Sequence, residues 1–259
     1  LMSISTERGA TELGTTQLLF RELLQSWVFN SNAGARFLAS QNYARLRGMR
    51  EVVVTSSTYV GSADYFCDGT ADQTEINAAI TAMNAAGGGL VRLTEGTYYL
   101  SATVAMMDDV TVAGPGAIVE KNGAFAAFTF SAVDRSTLED VQIQRNAADT
   151  NNNHLVLIQS ASTEIVVAAC RMVDPYYGFL YVDEATDVRI IQCIFQSSAA
   201  AGVAGWGGRV STAAASRRVI IERCLFTGID VYLSLNGIEG EANANVFAEI
   251  DARTMITGN

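Results

Sequence analysis

Three stretches, Ile165–Met172 (IVVAACRM), Val188–Phe195 (VRIIQCIF) and Val219–Phe226 (VIIERCLF), repeat one pattern, V-x-I-x-x-C-x-F in its fullest form. Apolar residues alternating over such short runs mark strands with one face buried. Val110-Thr111-Val112 and Val141-Gln142-Ile143 extend the series, and the first residues of the five anchors stand at steps of 31, 24, 23 and 31. Runs beginning at His154, Gly178 and Gly202 form a second series at steps of 24 and 24. A unit of this length holding short strands and no second helix describes a solenoid. Each strand pairs with its equivalent one turn on, at ~4.8 Å, so that like residues stack inside. Leucine-rich repeats share the period, but their leucine and asparagine framework is absent.

Stacking has consequences for particular residues. Cys170, Cys193 and Cys224 fall in one interior column, where parallel Cβ vectors do not face each other as a disulfide needs, so reduced, buried thiols are expected. Asp109, Asp140, Glu164 and Asp187 stand just before four of the five anchors and are read as turn residues. Val166, Ile191 and Ile220 fall on the outward side, which implies strands covered on both faces. The cover is either other copies of the chain around a symmetry axis, or a local loop or the head of the chain.

Ahead of the repeats, residues 68–80 read DGTADQTEINAAI. Asp72 and Glu75 stand in capping-box register, Ile76, Ile80 and Met83 form one apolar stripe, and Gly87, Gly88 and Gly89 end the helix. A helix at this place covers the core and strand edge that an open solenoid would expose.

The first 60 residues differ in character. A helix is expected over about 16–29, where Leu19, Leu23 and Trp27 belong to an unusually wide apolar stripe that calls for cover, either within the chain or as a docking or oligomerising surface. The division expected is a helical head over 1–60 and a solenoid over 61–259. The head carries a net charge of +2 and the remainder -12, within a total of -10. That acidity argues against nucleic acid or an anionic bilayer as the main partner, and no apolar run is long enough to span a membrane. Hydrophobic residues at 49% of the chain exclude a disordered polymer.

Taken together, DGTADQTEINAAI, then GGGLVRLTEGTYYL and DDVTVAGPG (residues 87–100 and 108–116), resemble the opening of the pectate-lyase-like right-handed parallel β-helix superfamily, bacteriophage tailspikes and tail fibres above all. With the repeats, the resemblance covers roughly residues 60–245. It implies an all-β parallel β-helix, a homotrimer, and a tail or capsid appendage of a virion, held to other virion proteins through residues 1–60. It also implies recognition or cleavage of host-surface polysaccharide.

Catalytic chemistry is harder to place. Hydrolysis needs two carboxylates ~5–9.5 Å apart across a groove, and the candidates are Asp183 and Glu184 beside Asp187, or Glu222 with Asp230. Elimination needs a calcium-caging acidic cluster, and no such motif stands out, so neither a metal nor another cofactor is expected. The lone His154 follows Asn151-Asn152-Asn153 and is read as a surface turn residue. The long step to Val219 holds an Ala- and Gly-rich insertion carrying Trp206 and Arg209, read as a projecting loop. Its tryptophan is either a sugar-stacking platform, an interface anchor or a tucked-in side chain. Five recognised rungs make a short rod, which favours a structural attachment protein over a depolymerase; within that reading a tail appendage leads and a capsid-decorating fibre is its rival.

Overall fold

The computed structural model describes residues 50–197, 209–213, 216–228, 232–235, 249–250 and 255–256. Those from Val52 onward belong to one compact unit. The expected head helix, with Leu19, Leu23 and Trp27, lies outside the described residues. Three sheets build the unit, and successive turns of the chain visit them in order. The first holds nine strands: Tyr65–Phe66, Glu51–Thr55, Gly89–Leu93, Val110–Ala113, Thr137–Glu139, Thr163–Ala168, Thr186–Ile191, Arg217–Glu222 and Glu249–Ile250. The second holds Gly96–Leu100, Ala117–Lys121, Gln142–Arg145, Arg171–Val173, Ile194–Ser197, Leu225–Gly228 and Met255–Ile256. The third holds Val104–Ala105, Phe128–Ser131, His154–Gln159, Gly178–Val182, Arg209–Thr212 and Tyr232–Leu235. Neighbours run parallel throughout, as in Ile165 on Val188 and Val188 on Val219. The described residues thus complete six three-stranded turns, one for each strand of the six-stranded sheet, rather than five rungs. The strand Glu51–Thr55 belongs to the first sheet.

Interior columns carry the stability. Val112, Leu138, Val167, Ile190 and Ile221 stack in the first sheet, and Val119, Ile143, Met172, Phe195 and Phe226 in the second, all buried. Burying one such side chain contributes about 1.5–3 kcal/mol. The stacked rings of Phe195 and Phe226 lie 4.8 Å apart. Cys170, Cys193 and Cys224 are free, buried thiols in one column, each within 3.5–3.6 Å of a carbonyl oxygen.

Register corrects one anchor. Val141 does not lie in the first sheet: Gln142 pairs with Arg171 and Ile118, which puts Val141 in the column of Ala117 and Cys170. The true anchor of that turn is Ser136, aligned with Val110 and Ile165. Its buried hydroxyl donates to the Val110 carbonyl at 2.8 Å, so a satisfied polar residue interrupts the aliphatic column. Asp140 therefore moves to a different corner. The corner before the first sheet reads Asp109, Arg135, Glu164, Asp187, Arg218, with φ between 50 and 58° at each. The next corner holds Asp140, Ala169, Gln192 and Arg223, again left-handed. There the N–H of Asp140, Ala169 and Gln192 donates to a carbonyl one turn on, at 2.9–3.0 Å, so the chain bends without breaking the ladder. Asp tolerates this backbone region best among the types present.

The outward column of the first sheet is Thr111, Thr137, Val166, Arg189 and Ile220. Val166, Ile191 and Ile220 are half-buried, but the exposed Arg189 stands between Val166 and Ile220 and breaks an apolar face.

Helix α1 (Gln73–Ala85) buries Ile76, Ala79, Ile80 and Met83 on the first turns of the solenoid. The capping box does not form: Asp72 makes no side-chain bond to the helix N-terminus. Its carboxylate instead accepts the Gly69 N–H at 2.8 Å and the Tyr99 N–H at 2.7 Å. Further along the helix, Gln73 pairs with Ser101. The amide of Asn77 donates to the Thr103 carbonyl at 3.1 Å and accepts the Ala105 N–H at 2.9 Å. Tyr99 and Ala105 lie on the edge strands that open the second and third sheets, so the helix side chains stand in for the missing neighbour strand. Among the described residues no helix is long and apolar enough to cross a membrane.

Candidate functional site

Sheet strands meet at short corners, and where a corner carries a small residue the surface is left hollow. Glu95, Gly116, Asp140 and Ala169 share the corner between the first and second sheets on four successive turns, and Gly96 directly follows that corner on the first of them. Two cavities follow that line. One of about 300 Å³ is lined by Gly116, Ala117, Ile118, Asp140, Val141, Gln142, Ala169 and Arg171. The other, about 530 Å³, is lined by Thr58, Tyr59, Val60, Glu95, Gly96 and Gly116. Gly116 is common to both, so the trough runs along the solenoid axis. Gly96 is required here: its φ is +125°, and a Cβ would meet the Ser56 hydroxyl at 2.2 Å.

The trough has polar walls over an apolar floor. Glu95, Asp140 and Arg171 are exposed and Gln142 is half-buried. A hydrogen-bonded chain on the outer face of the second sheet fixes that wall. Gln142 donates to Gln144 at 2.9 Å, Gln144 to Glu120 at 2.9 Å, and Asn146 to the other Glu120 oxygen at 2.7 Å. Arg171 donates to Gln196 at 2.6 Å. Side chains locked this way present a preformed surface. Next to Asp140, burial and then the Asp140 charge push the Glu139 carboxyl up.

The carboxylates expected from the sequence stand elsewhere. Asp187 is held by both sides of the Arg218 guanidinium, whose hydrogen bond keeps its carboxyl low. Glu222 lies 3.7 Å from Arg189 and 3.6 Å from Arg223. Asp183 and Glu184 sit at the corner between the third and first sheets, where the Asp183 N–H donates to the Ile158 carbonyl at 2.7 Å. Asp230, Trp206 and the run from Gly202 lie outside the described residues. Arg209 is not in a projecting loop; it opens the strand Arg209–Thr212, in register with Gly178 and Tyr232. His154 is not a surface turn residue either. It starts a strand, is 9% exposed, and stacks on Tyr181 at 5.1 Å with Tyr177 edge-on at 5.0 Å. The three asparagines ahead of it form the turn, and the imidazole is drawn in by two aromatic rings.

Sequence reading missed the trough because its walls come from single residues on separate turns. The available signals were the Glu95-Gly96 turn and the Gly114-Pro115-Gly116 corner, which mark where side-chain bulk is absent. Cys67, Asp72 and Glu75 bring metal-ligand atoms within 4.8 Å of one another. Both Asp72 oxygens are already taken by backbone N–H groups, and burial pushes the Cys67 thiol up, away from the thiolate a metal would need.

Among solved structures, ORF18 of Geobacillus virus E2 superposes with a TM-score of 0.53 at 17% identity, over 82% of this chain and 44% of that one. The chain has the fold of the pectate-lyase-like parallel β-helix proteins. Other parallel β-helix neighbours are more distant. The tailspike protein double mutant of E. coli bacteriophage HK620, solved with a pentasaccharide, gives a TM-score of 0.45 at 10% identity, over 92% of this chain and 55% of that one. The A-module of the Azotobacter vinelandii mannuronan C-5 epimerase AlgE6 gives 0.46 at 15%, over 65% and 52%. This β-helix thus spans about half the length of each of the three. No protein-family model and no curated protein matches the sequence.

Proposed function

We propose that this parallel β-helix is a virion appendage protein of the tailspike or tail-fibre type that recognises host-surface polysaccharide. The observation that carries the reading is the axial trough, a preformed polar-walled groove that follows a rigid rod, as an extended polymer requires. The viral source of the ORF18 structure supports placement on a particle. In this reading residues 1–60 hold the chain to other tail or capsid proteins, and the rod assembles as a homotrimer. A second reading is cleavage of the bound glycan, for which the exposed Asp140 on the trough lining is the carboxylate at hand.

The test is incubation of the chain with host polysaccharide, followed by a binding assay, a reducing-end assay and an unsaturated-uronate assay. Retained polymer with no new ends supports an attachment protein. New reducing ends or unsaturated products move the chain to the depolymerases, and failure to bind removes both readings. Sedimentation checks the trimer, and a stable monomer would overturn that part.

A further inference from the structure

We infer that the trough selects a neutral, hydroxyl-rich glycan and rejects uronate polymers; the inference rests on the glycan-binding reading above. The charged groups along the walls set the choice. Glu95 and Asp140 offer carboxylate oxygens, which accept hydrogen bonds and cannot donate them. Gln142 gives one amide hydrogen to Gln144, which leaves its other amide hydrogen and its carbonyl to serve a ligand. Arg171, the one cation on the lining, gives one of its five N–H donors to Gln196 at 2.6 Å and keeps its charge, so the lining sets two carboxylates against one guanidinium.

A wall that mixes carboxylates with an amide, a guanidinium and the Thr58 and Tyr59 hydroxyls is matched by sugar hydroxyls, which both donate and accept at every ring. Ligand charge decides between neutral and acidic polymers. The trough passes the corner positions Glu95, Gly116, Asp140 and Ala169, on consecutive turns, so at ~4.8 Å per turn it runs roughly 14 Å. A uronate polymer stretched over that length would set its own carboxylates against Glu95 and Asp140. The chain's overall charge of -10 repels the same polymers at longer range. Small corners supply the shallow floor on which pyranose rings can lie, and Ile118 offers an apolar patch for a sugar face.

Affinity electrophoresis of the full chain decides it, with neutral probes (amylose, dextran and galactomannan), acidic probes (polygalacturonate, alginate and hyaluronate) and cationic chitosan. Retardation by at least one neutral polymer is expected, at least tenfold stronger than by any acidic one and unchanged between 50 and 300 mM salt. The double variant Glu95→Gln, Asp140→Asn should relax the discrimination at least threefold. Both changes are close in shape, and Asn is well suited to the left-handed backbone at residue 140; circular dichroism confirms the fold. Binding confined to acidic polymers or to chitosan overturns the inference while leaving the proposed function intact, and so does neutral binding that the double variant does not change. Binding to no polymer of the panel or to host polysaccharide removes both.

Discussion

Asp72 and Tyr99 exchange two hydrogen bonds: the Asp72 N–H gives to the Tyr99 carbonyl at 2.9 Å, and the Tyr99 N–H gives to an Asp72 carboxylate oxygen at 2.7 Å. Tyr99 belongs to the edge strand that opens the second sheet, so one residue of the cap acts as a residue of the absent strand. The second carboxylate oxygen takes Gly69 N–H. Asparagine can accept at only one of its two heads and would turn an N–H toward another N–H. Asp72→Asn is therefore expected to cost about 1–3 kcal/mol. The measure is urea denaturation, where the midpoint should fall with the slope unchanged. An unmoved midpoint would show that the carboxylate does not tie the cap down.

A buried ion pair makes a second prediction. Lys121 and Asp149 are in contact with side chains 2% and 0% exposed; Lys121 also donates to the Gly123 carbonyl at 2.9 Å, and Asn151 donates twice to Asp149. Asp149→Asn strands a buried ammonium and should cost about 3–5 kcal/mol, whereas Lys121→Met with Asp149→Leu should be far milder because both charges leave together. Burial pushes the Asp149 carboxyl up, but the bonds from Lys121 and Asn151 more than offset it and hold the group below its ordinary value. A carboxyl lowered on folding stabilises the protein above the unfolded value near 3.9 and loses that contribution as pH falls through the folded one. Stability measured from pH 6 to pH 2 should fall less steeply in the Met–Leu variant than in the wild type.

How much of this could be read from the sequence depended on whether a signal repeats. The cysteine column and the capping helix were legible because V-x-I-x-x-C-x-F recurs and because Ile76, Ile80 and Met83 keep helical spacing. Val141 was not, since alternation inside the second sheet is the same as inside the first, and Ser136 at the true anchor hides the aliphatic column behind a hydroxyl. His154 followed three asparagines, and only Tyr177 and Tyr181, brought in from the next turn, make its place a buried one. The trough has no linear motif at all, because absence of bulk at Gly96, Gly116 and Ala169 defines it.

The second-sheet register gives a substitution with a built-in control. Val141 fills natively the column position that Cys193 fills two turns later. Cys193→Val should then cost less than about 1.5 kcal/mol. Cys193→Ser draws the polar atom back on a shorter bond from the Val167 and Ile191 carbonyls that the sulfur reaches at 3.5 Å, leaves a buried hydroxyl poorly satisfied, and should cost about 1–3 kcal/mol. Thermal unfolding of the two variants checks the order, and a valine variant less stable than the serine one would contradict the column as described. In the wild type the thiols of Cys170, Cys193 and Cys224, at most 1% exposed, should resist alkylation until the rod is unfolded.

The corner ladder separates backbone cost from ion pairing. Arg135 grips Asp109 through two nitrogens at 2.7 and 2.9 Å, yet both side chains are open to water, about half exposed. Screening leaves such a pair little net effect, so Arg135→Asn, which keeps a residue suited to φ 53°, should change the melting temperature only slightly. Arg135→Val removes the same charge but forces a β-branched residue into the left-handed region, and a loss of roughly 1–2 kcal/mol is expected. If instead both variants lose the same stability, the guanidinium and not the backbone conformation secures the corner, and raising salt should then weaken the wild type equally.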